Sequence, residues 1–152
     1  MIEQSNDFIS FKYENKILYI KIKKSIPTDD EWTFSKDTMV NYYEILKMSN
    51  TKMSLIFDIQ KLGILKKNKC KEWGKLLHER KDITKEKIHK TSVICNNMII
   101  RNMVNMFFSI YKPVRPIKIF KNEETAVNFI NDNIIKMENI EKMENINSIF
   151  AI

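Results

Sequence analysis

The sequence predicts an α/β domain: a mixed, mainly parallel sheet of about five strands with four helices, in the order ββαβαβαβα. Three observations carry that prediction. Short apolar or alternating runs recur at intervals, separated by segments long enough for a helix that crosses back over a sheet. One of the runs, residues 53–59 (MSLIFDI), is almost continuously apolar, the pattern of a central strand covered on both faces. The chain has 152 residues, 43% of them hydrophobic, with two glycines and three prolines, enough apolar material for one domain core and too little Gly and Pro for a linker-dominated chain.

Residues 8–13 (FISFKY) form the first expected strand, and Glu14-Asn15 the turn. Residues 17–23 alternate, with Leu18, Ile20 and Ile22 on one face, and complete a hairpin. After Pro27, Thr28-Asp29-Asp30-Glu31 opens a helix with acidic residues in its first turn. This helix should run to about Lys47 and turn Trp32, Met39, Tyr43 and Leu46 inward. The central strand 53–59 follows, then a basic helix at 67–81, a strand at 91–95 and a helix at 98–111 that Asn96-Asn97 cap. Pro113 and Pro116 end that helix and lead into a strand at 117–120. Asn122 caps a final helix with Ala126, Val127, Ile130 and Ile134 on one face. Residues 1–134 make the domain. Residues 135–152, where KMENI occurs twice, are expected as a C-terminal tail, helical or frayed.

The net charge of +7 is local. Residues 61–90 hold eleven basic and four acidic side chains, while the rest of the chain holds fifteen of each. Only Arg80, Arg101 and Arg115 are arginines, so the forked donors that read bases or phosphates are scarce. On helix 67–81, Cys70, Trp73 and Leu77 share one side, and Lys67, Lys71 and Lys75 line an adjoining one with His78 among them. Lys66, Lys67 and Lys69 stand at its start, where cations oppose the helix dipole. Lys66, Lys67, Lys69, Lys71, Lys75 and His78 are therefore the candidate contact face. Helix 98–111 carries more apolar surface than one sheet face needs, so Ile99, Met103, Met106, Phe107 and Tyr111 become candidates for an apolar ligand or a homodimer surface.

Three stretches resemble the STAS domains, the SpoIIAA-like anti-sigma-factor-antagonist fold, in a divergent branch beside lipid-binding CRAL-TRIO-type proteins. These are SLIFDIQKL (54–62), NMIIRNMVNMFFSIYKPVRPIKIF (97–120) and IFKNEETAVNFI (119–130). The resemblance spans about residues 8–134 and implies a regulatory domain that docks partners on the helix after the central strand. Phospho-regulated STAS domains carry an Asp-Ser-Ser-Gly stretch there; this chain has Lys66-Lys67-Asn68-Lys69 and no hydroxyl to phosphorylate.

Other chemistry finds no foothold in the sequence. Gly63 and Gly74 cannot build a phosphate loop. Cys70, His78, His89 and Cys95 lack metal-site spacing, and no catalytic residue, metal or cofactor is singled out. Asp58 ends the central strand, where α/β folds place ligands and where a carboxylate also serves as a structural cap. Two lone cysteines and an N-terminus without a signal-peptide pattern point to the cytoplasm. The expectation is a non-enzymatic regulatory domain that binds an acidic protein partner through helix 67–81. A lipid or anionic-membrane module is the alternative, and a non-specific nucleic-acid binder comes third.

Overall fold

The computed structural model describes residues 2–131. Six strands form one sheet in sequential order: β1 (Ile2–Ser5), β2 (Ile9–Glu14), β3 (Ile17–Ile22), β4 (Met53–Asp58), β5 (Ile88–Ile94) and β6 (Ile117–Phe120). The pairs β1–β2 and β2–β3 are antiparallel; β3–β4, β4–β5 and β5–β6 are parallel. The helices are α1 (Asp29–Met48), α2 (Lys67–Glu79), α3 (Lys81–Lys87), α4 (Met98–Ile110) and a last helix, α5, over residues 123–131.

The expected α/β architecture is present, with one strand and one helix more than the sequence pattern predicts. Strand β1 went unseen because IEQS has no apolar alternation; β2 pairs it in register, Ile2 opposite Tyr13. Helix α3 was not expected: the predicted helix stops at about residue 81, whereas the chain breaks at Arg80 (φ −112, ψ 19) and starts a second helix. Strand β5 begins at Ile88 rather than at residue 91. Its polar start is held by Lys90, a lysine only 3% exposed whose Nζ donates to the Phe129 carbonyl at 2.7 Å. The expected tail 135–152 and Ile134 lie outside the described residues.

Local chemistry sets the element ends. Asn15 and Lys16 both take positive φ (53 and 62), closing the β2–β3 hairpin with the two-residue turn whose twist suits paired strands. Thr28 and Glu31 form a reciprocal capping box at the start of α1: Thr28 Oγ1 accepts from Glu31 N–H at 3.2 Å, and Glu31 Oε1 from Thr28 N–H at 2.8 Å. Asn97 caps α4 through Ile99 and Ile100 N–H, and Asn122 accepts from Thr125 N–H at 3.0 Å.

Two cores flank the sheet. The larger joins α1, α2 and α4 to β2–β5 through Phe8, Phe11, Leu18, Ile20, Trp32, Met39, Tyr43, Leu46, Leu55, Leu76, Val93, Ile100 and Val104. On the other face, Ala126 and Ile130 of α5 seal Ile56 and Ile94. All four residues that the α1 pattern turned inward are buried.

Replacing Thr28 with Ala removes one half of the capping box and should lower stability by about 1 kcal/mol. Urea unfolding followed by circular dichroism measures this, with no change expected in the slope of the transition.

Candidate functional site: a basic-mouthed apolar cavity

Helix α2 is only partly covered on its apolar side. Gly74 and Leu76 are its buried residues, whereas Cys70, Trp73 and Leu77, the side expected to dock, are only partly covered. The helix hangs from its neighbours. The Trp32 indole N–H donates to Glu72 Oε2 at 2.8 Å, and Lys36 Nζ lies 3.5 Å from Glu72 Oε1. Lys69 Nζ reaches Asp29 Oδ1 at 3.3 Å and sits 5.4 Å from the Trp32 ring centroid. The indole hydrogen bond, followed by the nearby lysines, holds the Glu72 carboxyl below its ordinary range. Trp73 in turn packs 5.9 Å from Trp32 and edge-on to Phe57 at 6.4 Å.

Midway along α2, the Tyr111 ring lies directly on Gly74. A Cβ added at Gly74 would stand 2.2 Å from Tyr111 Cε2. A glycine inside a helix costs about 1 kcal/mol relative to alanine, and this contact is its reason. Tyr111 follows α4, so the Gly74–Tyr111 contact ties α2 to the loop 111–116.

Between α2, α4 and the sheet lies a cavity of about 510 Å³. Its walls are Leu55, Phe57 and Val93 from the strands, Trp73 and Leu77 from α2, and Met103 and Phe107 from α4. At roughly 24 cal/mol per Å³, a sealed void of that size would cost on the order of 10 kcal/mol, comparable with the whole stability of a domain. The space is therefore not a sealed void. Lys112, Pro113 and Val114, exposed residues of the loop, form its rim.

The charged residues that line it are Lys81, Lys112 and Arg115; His78 lines it too, and among the described residues no carboxylate does. Arg115 donates to the Ile88 and His89 carbonyls at 3.1 and 3.2 Å and so fixes the loop against the start of β5. Tyr43 and Thr84 share a hydrogen bond of 3.0 Å in the wall. Burial raises the thiol pKa of Cys70, which also lines the cavity. Burial first, and then Lys90, Arg115 and Lys52, push His89 down.

The residues singled out from sequence divide. Lys66, Lys67, Lys71, Lys75 and His78 are exposed, and His78 also borders the cavity. Lys69 departs from that row: its side chain is 12% exposed and folded onto α1, because Asp29 and the Trp32 face offer it a better site than water. Lys75 lies 3.9 Å from Glu79. Met103, Phe107 and Tyr111 of the apolar set line the cavity, whereas Ile99 and Met106 point away from it, 62% and 67% exposed. Asp58 Oδ1 accepts from the Gln60 backbone and side-chain amides at 3.1 and 3.2 Å, closing the turn after β4. Among the described residues, no three His, Cys, Asp or Glu side chains come together as a metal site, and no helix is long and apolar enough to cross a membrane. Sequence reasoning missed Lys81, Lys112 and Arg115 as a group, since only the folded chain brings them to the lining of one cavity. It also passed over Gly74, whose place in a helix interior was the available signal.

A family model described as "Domain of unknown function (DUF7793)" matches residues 11–134. The chain belongs to that family. No curated protein matches it. Among solved structures, it is similar to an uncharacterised protein of the DUF3478 family from Shewanella loihica PV-4, described as having a SpoIIAA-like fold. The two share 12% identity with a TM-score of 0.55, over 80% of this chain and 90% of the other. This member of the DUF7793 family therefore has a SpoIIAA-like fold, as the resemblance to STAS domains implied.

Two predictions follow from the way α2 is held. Trp32→Phe should let the Glu72 carboxyl pKa rise toward its ordinary value, measured by carbon-detected NMR titration, because the largest cause of its depression is removed. Gly74→Ala should force the Tyr111 ring aside, destabilise the domain by about 1–3 kcal/mol and speed reaction of Cys70 with a thiol reagent. Cys95, 0% exposed, is the internal control.

Proposed function

We propose that this chain is a non-enzymatic binding module that takes a small apolar ligand into the cavity between α2, α4 and the sheet. One observation carries the reading: a space of about 510 Å³, walled by aromatic and aliphatic side chains and opening at the 111–116 loop. That volume lies within the roughly 300–1,000 Å³ usual for small-ligand sites. The surplus of apolar surface on α4 supports it, since Phe107 and Tyr111 line the cavity without packing on the main core, and Met103 does both. Methionine and aromatic walls adapt to ligands of varied shape.

Docking of an acidic partner on α2 is the second reading. It draws on the exposed Lys67 and Lys71, which form no ion pair among the described residues, and on the place of this helix in relatives of the fold. The row is smaller than its sequence promised, because Lys69 is engaged within the domain.

The test is binding of the neutral apolar probe N-phenyl-1-naphthylamine, read by its fluorescence, to the full chain and to Val93→Phe. Val93 is buried on the cavity wall, so the larger ring occupies the space. Wild type should bind saturably, and the variant at least about tenfold more weakly with its melting temperature held or raised, since a filled cavity recovers lost packing. Absence of saturable binding by a folded wild type, or equal binding by a folded variant, refutes the reading.

A further inference from the structure

The cavity has a direction. Strands β3 to β6 run parallel, so their carboxyl ends share one edge of the sheet and their amino ends the other. At the carboxyl edge the lining is apolar: Phe8, Ile22, Ile59, Leu62 and Leu65, with Trp73 above them in the first half of α2. At the amino edge it is polar and positive. Helix α2 runs back along the sheet to end there, and His78 and Lys81 stand one turn apart across its junction with α3. The loop after α4 returns to the same edge, bringing Lys112 and Arg115. Its position is fixed by the Arg115 hydrogen bonds to Ile88 and His89, and by the Thr91 N–H donating to the Pro116 carbonyl at 3.0 Å.

The nearby carboxylates turn elsewhere. Glu79 faces Lys75 and Arg80, and neither it nor Asp82 nor Glu86 lines the cavity. An apolar trough that ends in basic side chains complements one kind of molecule. We infer that the ligand is an anionic amphiphile with a single apolar chain: its tail lies along β4 and β5 toward Leu62 and Leu65, and its carboxylate or phosphate head meets Lys81, Lys112 and Arg115. The inference rests on the cavity reading above and adds the charge and orientation of the ligand. Cations just past helix C-termini also offset the helix dipole, and that role alone would give no preference among head groups.

Matched probes decide it. Dodecanoate, dodecyl phosphate and dodecan-1-ol, each below its aggregation limit, are titrated into the full chain while the fluorescence of Trp73 and Trp32 in the cavity wall is followed. Both acids should bind roughly tenfold or more tightly than the alcohol, since charge-assisted hydrogen bonds replace neutral ones. In the double variant Lys81→Ala, Lys112→Ala, the ratio of acid to alcohol affinity should fall toward one. Both lysines are exposed, and an unchanged melting temperature confirms folding. Equal affinity for acids and alcohol in wild type overturns the inference and leaves an apolar site. An acid preference that survives in the variant overturns the assignment of the head to these lysines. Failure of all three probes refutes the cavity reading itself. A preference for one acid over the other identifies the head as carboxylate or phosphate.

Discussion

The structure depends on how α2 is suspended. An amphipathic helix ordinarily presses its apolar face on the sheet and excludes everything else. Here the helix is held by its flanks, through Glu72 to Trp32, Lys69 to Asp29, and Gly74 to Tyr111. These attachments fix its height. Leu76 enters the core, while Cys70, Trp73 and Leu77 stay partly covered and line the cavity, Trp73 and Leu77 also packing on the edge of the core. The cavity is thus a consequence of side contacts between helices and not of missing residues in the sheet, whose strands β4 and β5 are well covered.

Most of the fold was legible because it rests on local signals. The capping box at Thr28, the inward quartet of α1, the apolar run of β4 and the Asn caps of the later helices each act over a few residues. What escaped depended on distant partners. IEQS becomes a strand because β2 offers it an edge, and the start of β5 stays buried because the Phe129 carbonyl and ring receive Lys90. Helix α3 escaped because KDITKEK carries no apolar stripe; Thr84 and Lys87 bind it to α1 through Tyr43 and the Ser49 carbonyl. The candidate site was half legible. The apolar excess of α4 was visible, but its split between cavity and solvent follows from where the helix sits.

The charge tells a similar story. Eleven basic residues in 61–90 look like one surface in the sequence, yet the folded chain distributes them. Lys69 and Lys87 bind within the domain, Lys90 is buried, and Arg80 donates to the Leu76 carbonyl. Of those left at the surface, Lys66, Lys67, Lys71 and Lys75 lie on α2 or at its start, Lys81 borders the cavity, and Lys61 and Lys85 stand apart from both. A segment's net charge therefore overstates the field it presents, since several of its members serve as internal ties.

Sequential strand order has a consequence for how the molecule comes into being. Among the described residues no strand inserts between two laid down earlier, so the sheet can grow from one edge as the chain leaves the ribosome, each strand adding to its predecessor. The hairpin, α1 and β4 can assemble first, while α4 and the 111–116 loop arrive near the end. Until Tyr111 reaches Gly74, the space beneath α2 has no outer wall. The cavity is enclosed late, with β6 and α5, which seals the opposite face, still to follow.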